Sequence, residues 1–149
     1  MNKKRILISG ASGDFGKSMI KYFNNSKFDM LYASKNQMDV TSINQVEKVV
    51  NDFAPDYFIH AAALTRPMIH HDMKPNESIL NNIVGTSNVT MICCSKKIKL
   101  IYLSTDHVYK GTTGNYSEDD EVFPVNNYGW SKLGGECAVR LYKNSCILI

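Results

Sequence analysis

A tyrosine and a lysine near the end of the chain form the pair with the clearest chemical potential. Tyr128 and Lys132 are four residues apart, so on a helix they lie on one face, one turn from each other. A neighbouring ammonium group is expected to lower the pKa of a phenol that otherwise titrates near ~10. Such a tyrosine can exchange a proton with a carbonyl or alcohol oxygen near neutral pH. The hydroxyl of Thr105, at the end of a predicted strand, can hold that same oxygen.

A glycine-rich turn near the start of the chain indicates where a cofactor would bind. Three glycines, spaced G-x-x-G-x-x-G, follow the apolar run 5–9, and a helix is predicted at about 14–24. Glycine allows a tight turn and lets the backbone approach a pyrophosphate, and the helix N-terminus offers free N–H groups to phosphates. We therefore predict a dinucleotide-binding loop. Its expected cofactor-binding residues are Gly10, Ser12, Gly13, Asp14, Phe15 and Gly16.

The same turn is also close to a second phosphate-binding pattern. Residues 11–18 (ASGDFGKS) would match the P-loop G-x-x-x-x-G-K-S/T if Ala11 were glycine. In that alternative Lys17 grips the β- and γ-phosphates and Ser18 holds a magnesium ion. In a purely structural alternative, Lys17 and Ser18 belong to the ordinary first turn of a helix. A P-loop enzyme has no use for a Tyr-x-x-x-Lys pair, and this favours the dinucleotide loop.

The end of the second predicted strand indicates which dinucleotide is preferred. The 2′-hydroxyl of NAD is usually held by an acidic residue about 20 residues beyond the glycines. The corresponding segment, 32–35, contains no carboxylate and one cation. We therefore predict that NADP(H) is preferred, with Ser34 or Lys35 on its 2′-phosphate, and that NAD(H) is the alternative.

Alternating strands and helices must position these groups. Short strands joined by helices form a right-handed, largely parallel sheet that is covered on both faces. The predicted fold class is therefore α/β, a Rossmann-type doubly wound sheet, with the loop 111–126 over the active site. Strands are predicted at 5–9, 29–33, 56–60, 99–104 and 145–149, and helices at 14–24, 42–53, 76–96 and 127–142.

Several segments together resemble the extended short-chain dehydrogenase/reductase family, and within it most the dTDP-4-dehydrorhamnose reductases. They are GASGDFG (10–16), DVT (39–41), HAAA (60–63), YLSTDHVYKG (102–111), YSE (116–118) and YGWSKLGGE (128–136). The resemblance implies a catalytic triad in which Tyr128 donates the proton and Thr105 orients the substrate oxygen. It implies that Lys132 lowers the tyrosine pKa and holds the nicotinamide ribose.

The resemblance also implies how the rest of the cofactor is held and what the protein does. Asp39 and Val40 would flank the adenine, and Ala61, Ala62 and Ala63 would pass beneath the cofactor. The implied reaction is reduction of a nucleotide-linked 4-keto sugar, in the synthesis of deoxysugar and polysaccharide precursors.

Two further expectations come from the family's size and assembly. Its members are about twice as long, so residues 1–149 would form the NAD(P)-binding domain and the C-terminal sugar-binding part would be absent. Family members dimerise through helices that match 76–96 and 127–142, which implies a homodimer.

Departures from the reductase pattern leave two alternatives open. Residues 82–88 (NIVGTSN) resemble nucleotide-sugar epimerases and dehydratases, and His107 and Lys110 stand where the reductases usually have Tyr and Asp. An epimerase or dehydratase is therefore one alternative. The regulatory β subunit of methionine adenosyltransferase shares the fold and a similar Arg66-Pro67 segment, so the other is a non-catalytic dinucleotide-binding module.

Composition indicates one ordinary domain. The chain has 149 residues, of which 44% are hydrophobic and 21% charged, and its net charge of +3 does not indicate a nucleic-acid partner. No signal peptide and no apolar run long enough to span a membrane is found, so we predict a cytoplasmic location. The four cysteines lack metal-ligand spacing and are expected to be reduced and mostly buried: Cys93, Cys94, Cys137 and Cys146.

Other polar residues are given structural interpretations. Adjacent histidines in the polar segment 70–72 are expected to be solvated, and no metal site is predicted. His60 is expected to pack at a strand end. Arg66 has two alternatives, a contact with a substrate diphosphate or a surface ion pair.

Overall fold

Five short strands form one parallel sheet in the computed structural model, which describes residues 3–23 and 27–149. The strand order is β2-β1-β3-β4-β5, with every neighbouring pair parallel. The predicted strands are confirmed, because each differs from the observed one by at most one residue at either end. The strands are β1 (Arg5–Ser9), β2 (Asp29–Ala33), β3 (Tyr57–His60), β4 (Lys99–Leu103) and β5 (Ser145–Leu148).

The helices follow the prediction except between β3 and β4. The predicted helix 76–96 is several pieces, with a π-helix at Ile79–Val84 in the middle, and it is preceded by a short helix that was not predicted. Residue 24, the predicted end of the first helix, lies outside the described residues. The α-helices are α1 (Asp14–Phe23), α2 (Ile43–Phe53), α3 (Ile69–Met73), α4 (Pro75–Ser78), α5 (Gly85–Lys96) and α6 (Asn127–Arg140), and a 3₁₀ turn spans Asp106–Val108.

Right-handed crossovers place helices on both faces of the sheet. The connection from β1 to β2 runs one way along the sheet, and the connection from β2 to β3 runs back across β1. Therefore α1 covers one face, while α2, α5 and α6 pack beside one another on the other. The Rossmann-type fold is thus confirmed. The strand order reverses between β1 and β3, and in such sheets ligands bind beyond the carboxyl ends of the strands at that point.

The hydrophobic core lies between the sheet and the face that carries α2, α5 and α6. Alternate strand residues such as Phe58 and Leu100 are fully buried there, whereas Ile59 and Ile101 on the opposite face are only half-buried. Full burial of such a side chain stabilises the fold by roughly 1.5–3 kcal/mol. This packing fixes the strand ends and the inner surface of α6, which together position the site.

Among residues 3–23 and 27–149, no helix is long and apolar enough to cross a membrane.

Two of the four cysteines are more exposed than the sequence predicted. The expectation of mostly buried cysteines is wrong for Cys94 and Cys137, which are exposed because they lie on the outer surfaces of α5 and α6. Cys93 faces the core, where burial raises the pKa of its thiol to about 12.

Candidate dinucleotide cleft and active site

Two adjoining cavities lie along the carboxyl ends of β1, β3 and β4. Their volumes are about 540 and about 220 Å³, and both are lined by Gly10, Gly13, Ala61 and Ala63. The predicted pyrophosphate loop therefore lies where the two cavities meet. The predicted site residues that line only the larger cavity are Asp14, Phe15, Thr105 and Tyr128. The predicted site residues that line only the smaller cavity are Ser12, Lys35, Asp39, Val40 and Ala62.

The turn after β1 packs directly against the backbone that follows β3. Gly10 has a φ of +76°, and a Cβ there would lie 2.7 Å from the nitrogen of Ala62. Only glycine fits this combination of left-handed backbone and close approach. Gly16 is buried and does not line either cavity. A Cβ at Gly16 would lie 2.6 Å from the carbonyl oxygen of Gly10, so its place is in the close packing of α1 on the turn.

The smaller cavity has charged groups at its rim. The carboxylate of Asp39 accepts hydrogen bonds from the N–H and the hydroxyl of Thr41, at 2.9 and 2.8 Å. Burial alone would raise the pKa of Asp39, but these bonds and the nearby Lys35 ammonium hold it below its ordinary value. The Nζ of Lys35 is 3.9 Å from Asp39 and its side chain is 66% exposed. Ser34 does not line the cavity, and its hydroxyl donates to Gln37 at 2.9 Å.

The larger cavity contains the predicted tyrosine and threonine. Tyr128 is half-buried, and burial raises the pKa of its phenol above the ordinary value. A hydrogen bond with Thr105 and the charge of Arg66 oppose that increase, while Asp106 adds to it. The structure thus brings Thr105 and Tyr128 together as predicted. The expected lowering of the tyrosine pKa is wrong here, because desolvation outweighs the favourable contacts.

Lys132 lies beneath the cleft instead of in its wall. The residue is only 3% exposed, and its Nζ donates to the carbonyl oxygen of Leu103 at 2.6 Å. The same atom lies 4.1 Å from the centre of the Tyr102 ring. Burial lowers the pKa of Lys132 to about 7, although the charge of Glu136 raises it. The lysine therefore ties α6 to the end of β4, next to Thr105.

Glu136 continues the helical face of Tyr128 and Lys132 and was missed by the sequence analysis. Its carboxylate is completely buried and accepts a hydrogen bond from the hydroxyl of Ser104. The guanidinium of Arg140 lies 3.5 Å from its other oxygen. The signal was present in the sequence, because Glu136 follows Lys132 by four residues, as Lys132 follows Tyr128.

Asn82, in the π-helix, holds the loop that follows β3. Its side-chain oxygen accepts the N–H of Leu64 at 2.7 Å, and its nitrogen donates to the carbonyl oxygen of Leu64 at 2.9 Å. The same nitrogen donates to the hydroxyl of Ser131 on α6 at 2.8 Å. One buried amide thus fixes the cleft loop against α6. The sequence of residues 82–88 indicated only a family resemblance and did not predict these contacts.

A chain of buried polar side chains runs under the cleft from β1 to α6. The Ser9 hydroxyl is 2.8 Å from Nδ1 of His60, and Nε2 of His60 is 3.1 Å from the hydroxyl of Thr86. Tyr102 hydrogen bonds with Thr86 and donates to the carbonyl oxygen of Lys132 at 3.3 Å. Burial lowers the pKa of His60 to about 3, so this ring is neutral. His60 is therefore a packing residue at a strand end, as expected.

The histidine-rich segment 70–72 packs against α6. His71 is buried, which corrects the expectation that it is solvated, and its ring centre lies 5.1 Å from that of Tyr128. Its Nδ1 is 2.7 Å from the hydroxyl of Ser78, and Asp72 accepts a bond from Asn127 at 2.8 Å. The reason for the difference is α3, which turns the segment towards α6. The described part of the chain contains no cluster of side chains suited to a metal ion.

The chain forms a Rossmann-fold domain of the short-chain dehydrogenase/reductase type. This class is defined by the sheet order, by the glycine turn and by the group of Thr105, Tyr128 and Lys132. Comparison with known families agrees with this class. Residues 4–149 match the model of a family described as the RmlD substrate binding domain. The chain belongs to that family.

The similar proteins include a dTDP-4-dehydrorhamnose reductase and a subunit of methionine adenosyltransferase. The chain is 33% identical over 143 residues to methionine adenosyltransferase 2 subunit beta of Xenopus laevis, which covers 91% of this chain and 42% of the relative. It is 29% identical over 134 residues to dTDP-4-dehydrorhamnose reductase of Aggregatibacter actinomycetemcomitans, covering 89% of this chain and 45% of the relative. The chain therefore spans less than half the length of these relatives.

A solved structure matches nearly all of the chain. The dTDP-4-dehydrorhamnose reductase of Bacillus anthracis, in complex with NADP, has a TM-score of 0.93 and 32% sequence identity. The match covers 99% of this chain and 53% of that one.

Proposed function

We propose that residues 1–149 form the NAD(P)-binding domain of an oxidoreductase that uses NADP(H) to reduce a nucleotide-linked 4-keto sugar. The observation that carries this proposal is the convergence of Thr105 and Tyr128 on the cavity that adjoins Gly10 and Gly13. The NADP complex of the similar reductase supports the cofactor. The longer relatives support a sugar-binding part that lies outside these residues.

The cleft has the features that a dinucleotide requires. Gly10 and Gly13 line both cavities at their junction, where a pyrophosphate can approach the backbone of the turn. The first turn of α1 begins at Asp14 beside that junction and offers its free N–H groups. The adenine half would lie in the smaller cavity and the nicotinamide half in the larger one. When bound, the nicotinamide supplies the hydride.

The side chains of the larger cavity would control the proton and the substrate oxygen. Tyr128 would give its proton to the carbonyl oxygen, and the hydroxyl of Thr105 would hold that oxygen in place. Because its phenol pKa is raised, Tyr128 holds its proton until a substrate oxygen accepts it. Lys132, with a pKa of about 7, can release or accept a proton near neutral pH behind this pair. To hold the nicotinamide ribose, as the family resemblance implies, its ammonium would have to leave the carbonyl oxygen of Leu103 and enter the cleft.

A cofactor-consumption assay tests the proposed reaction. We expect loss of reduced-cofactor absorbance when a complete enzyme that contains this domain meets the correct nucleotide 4-keto sugar. The isolated 149-residue chain is expected to bind the dinucleotide without turning over sugar, because the walls that would hold the carbonyl lie elsewhere. Product formation without net cofactor loss would instead support the epimerase or dehydratase alternative.

A second candidate is a non-catalytic dinucleotide-binding subunit. The similarity to methionine adenosyltransferase 2 subunit beta, at 33% identity, favours it. The two candidates differ in what Tyr128 does, since a regulatory subunit needs no proton donor. A full-length form could be tested with a panel of nucleotide 4-keto sugars. If it bound the dinucleotide but turned over none of these sugars, the result would favour the non-catalytic subunit.

We also propose a homodimer through α5, α6 and the π-helix. Large apolar side chains are exposed on these elements, among them Leu80, Met91 and Trp130, each about half exposed, and Leu141, directly after α6, is 88% exposed. Exposed apolar clusters of this kind mark interaction surfaces. Light scattering should give the mass of a dimer for the chain and of a monomer for Trp130→Glu. A monomeric parent chain would contradict the proposal.

A further inference from the structure

Asn126 connects the start of α6 to a histidine at the rim of the larger cavity. Its side-chain oxygen accepts the N–H of Gly129 at 2.7 Å, which is the usual bond of a helix N-cap. That bond fixes the orientation of the amide, because an amide nitrogen cannot accept an N–H. The amide nitrogen therefore points the other way and lies 2.9 Å from Nδ1 of His107.

The orientation of this amide determines where the proton of His107 lies. An amide nitrogen only donates, so Nδ1 of His107 must accept. In a neutral imidazole the proton is then on Nε2. His107 is exposed and lines the larger cavity, and its ring meets that of Tyr128 edge-on with 5.4 Å between centres. The cavity beside the tyrosine is thus lined by an imidazole whose free nitrogen is a donor.

Close packing makes the arrangement difficult to change by small movements. A side chain at Gly129 would overlap the carbonyl oxygen of His107 and would lie 3.0 Å from Cβ of Pro124. The first turn of α6 therefore rests on the backbone of the 3₁₀ turn that carries His107. Asn126, half-buried between them, has little freedom to rotate its amide.

We propose that Asn126 is a positioning residue with two tasks. It caps the helix that carries Tyr128 and Lys132, and it holds His107 as the Nε2–H tautomer, so that the reactive end of the cleft offers a hydrogen-bond donor to an oxygen acceptor. Under the proposed function that acceptor is an oxygen of the substrate, and this assignment rests on the proposed function. The tautomer itself does not depend on it.

Two cap-preserving substitutions test the proposal in the isolated chain. Serine and aspartate both cap helices well, so Asn126→Ser keeps the cap and loses the histidine contact, whereas Asn126→Asp keeps the cap and places an acceptor against Nδ1. Long-range ¹H–¹⁵N spectra of uniformly labelled protein report each histidine tautomer, and His107→Gln identifies the His107 signals. We expect the Nε2–H form in the parent chain and the Nδ1–H form in Asn126→Asp.

The outcomes separate a positioning role from simple capping. If Asn126 were only a cap, the three proteins would show the same His107 tautomer. That result, or an Nδ1–H tautomer in the parent chain, would overturn the proposal. Should Asn126→Asp fail to fold, Asn126→Ser decides, because the Nδ1–H form that the amide excludes in the parent chain should then appear beside the Nε2–H form. Neither cofactor nor sugar enters the measurement, so the tautomer can be determined whether or not the reductase assay succeeds.

Discussion

The two ends of the cleft are built from different kinds of group. Around the smaller cavity, charge comes from side chains in contact with water, with Lys35 66% and Asp39 28% exposed. Around the larger cavity, the supporting groups are buried, with Lys132 3%, His71 1% and Glu136 0% exposed. Water screens the first set, whereas in the second set burial lowers the pKa of Lys132 to about 7. The comparison indicates that one end is suited to binding and the other to proton chemistry.

The largest effect should come from removing one hydroxyl at the reactive end. Tyr128→Phe should lower turnover of a complete enzyme by roughly 10²–10⁴-fold, because the proton donor is lost. Dinucleotide affinity of the chain should stay nearly unchanged, since the pyrophosphate turn is intact. Steady-state kinetics and calorimetric titration measure the two quantities, with the exposed Tyr22→Phe as the control. Near-normal turnover in Tyr128→Phe would assign the acid to another group.

A methyl group at the junction of the two cavities should affect both ends. Gly10→Ala places a Cβ 2.7–2.8 Å from backbone atoms of Ala61 and Ala62, so these segments must separate. We expect the free energy of unfolding to fall by about 1–3 kcal/mol and dinucleotide binding to be lost. Gly114→Ala is a matched control, because Gly114 has a similar φ of +73° and no atoms within 4 Å of its Cβ position. Equal losses in the two variants would show that backbone strain, not overlap, is responsible.

The buried lysine predicts how stability depends on pH. The pKa of Lys132 is about 7 in the folded chain and ordinarily 10.5, so between these values the unfolded chain binds the extra proton. The free energy of unfolding should therefore rise between about pH 7 and pH 9, by up to ~1.4 kcal/mol per pH unit. Above that range the raised pKa of Cys93 acts in the opposite direction.

Urea unfolding of the parent chain and of Lys132→Met checks this dependence. The variant lacks the titrating group, so the difference between the two proteins should change with pH. Parallel curves would mean that Lys132 keeps an ordinary pKa. In a complete enzyme, Lys132→Met should lower both turnover and cofactor affinity.

The smallest effect is expected at the exposed end. NADPH should bind the chain more tightly than NADH, and Lys35→Ala should weaken NADPH binding without changing NADH binding. Because this cation is exposed, the loss should correspond to about 0.2–1 kcal/mol, or at most about fivefold. Calorimetric titration measures it, with the exposed Lys48→Ala as the control. NADH affinity equal to or above that of NADPH would contradict the predicted preference.

The sequence predicted the features that depend on local pattern. Apolar runs located the strands, and the glycine spacing located the turn between them, because both are set by neighbouring residues. The pKa values of Tyr128 and Lys132 were not predictable in the same way. Both depend on how deeply α6 is buried against β4, which involves residues far apart in the chain.

In the region between β3 and β4, too, local sequence pattern did not predict contacts between residues far apart in the chain. His71 has polar neighbours in sequence, and only the packing of α3 on α6 places it against Tyr128. Within the predicted helix 76–96, the π-helix carries Asn82, which pairs with Leu64, a residue that no helical periodicity relates to it. Residues that support the site from a distance were therefore the ones missed.

The π-helix makes the length of this segment as important as its composition. Each turn of a π-helix holds about one residue more than an α-helical turn, because the bond spans five residues instead of four. Deleting one residue within Ile79–Val84 would let the helix continue as a regular α-helix. Six π-helical residues at roughly 80° each and five α-helical residues at about 100° each turn through nearly the same angle, so the flanking helices would keep their relative orientation. A single-codon deletion here would therefore change which residue faces Leu64 while leaving the helices on either side in place.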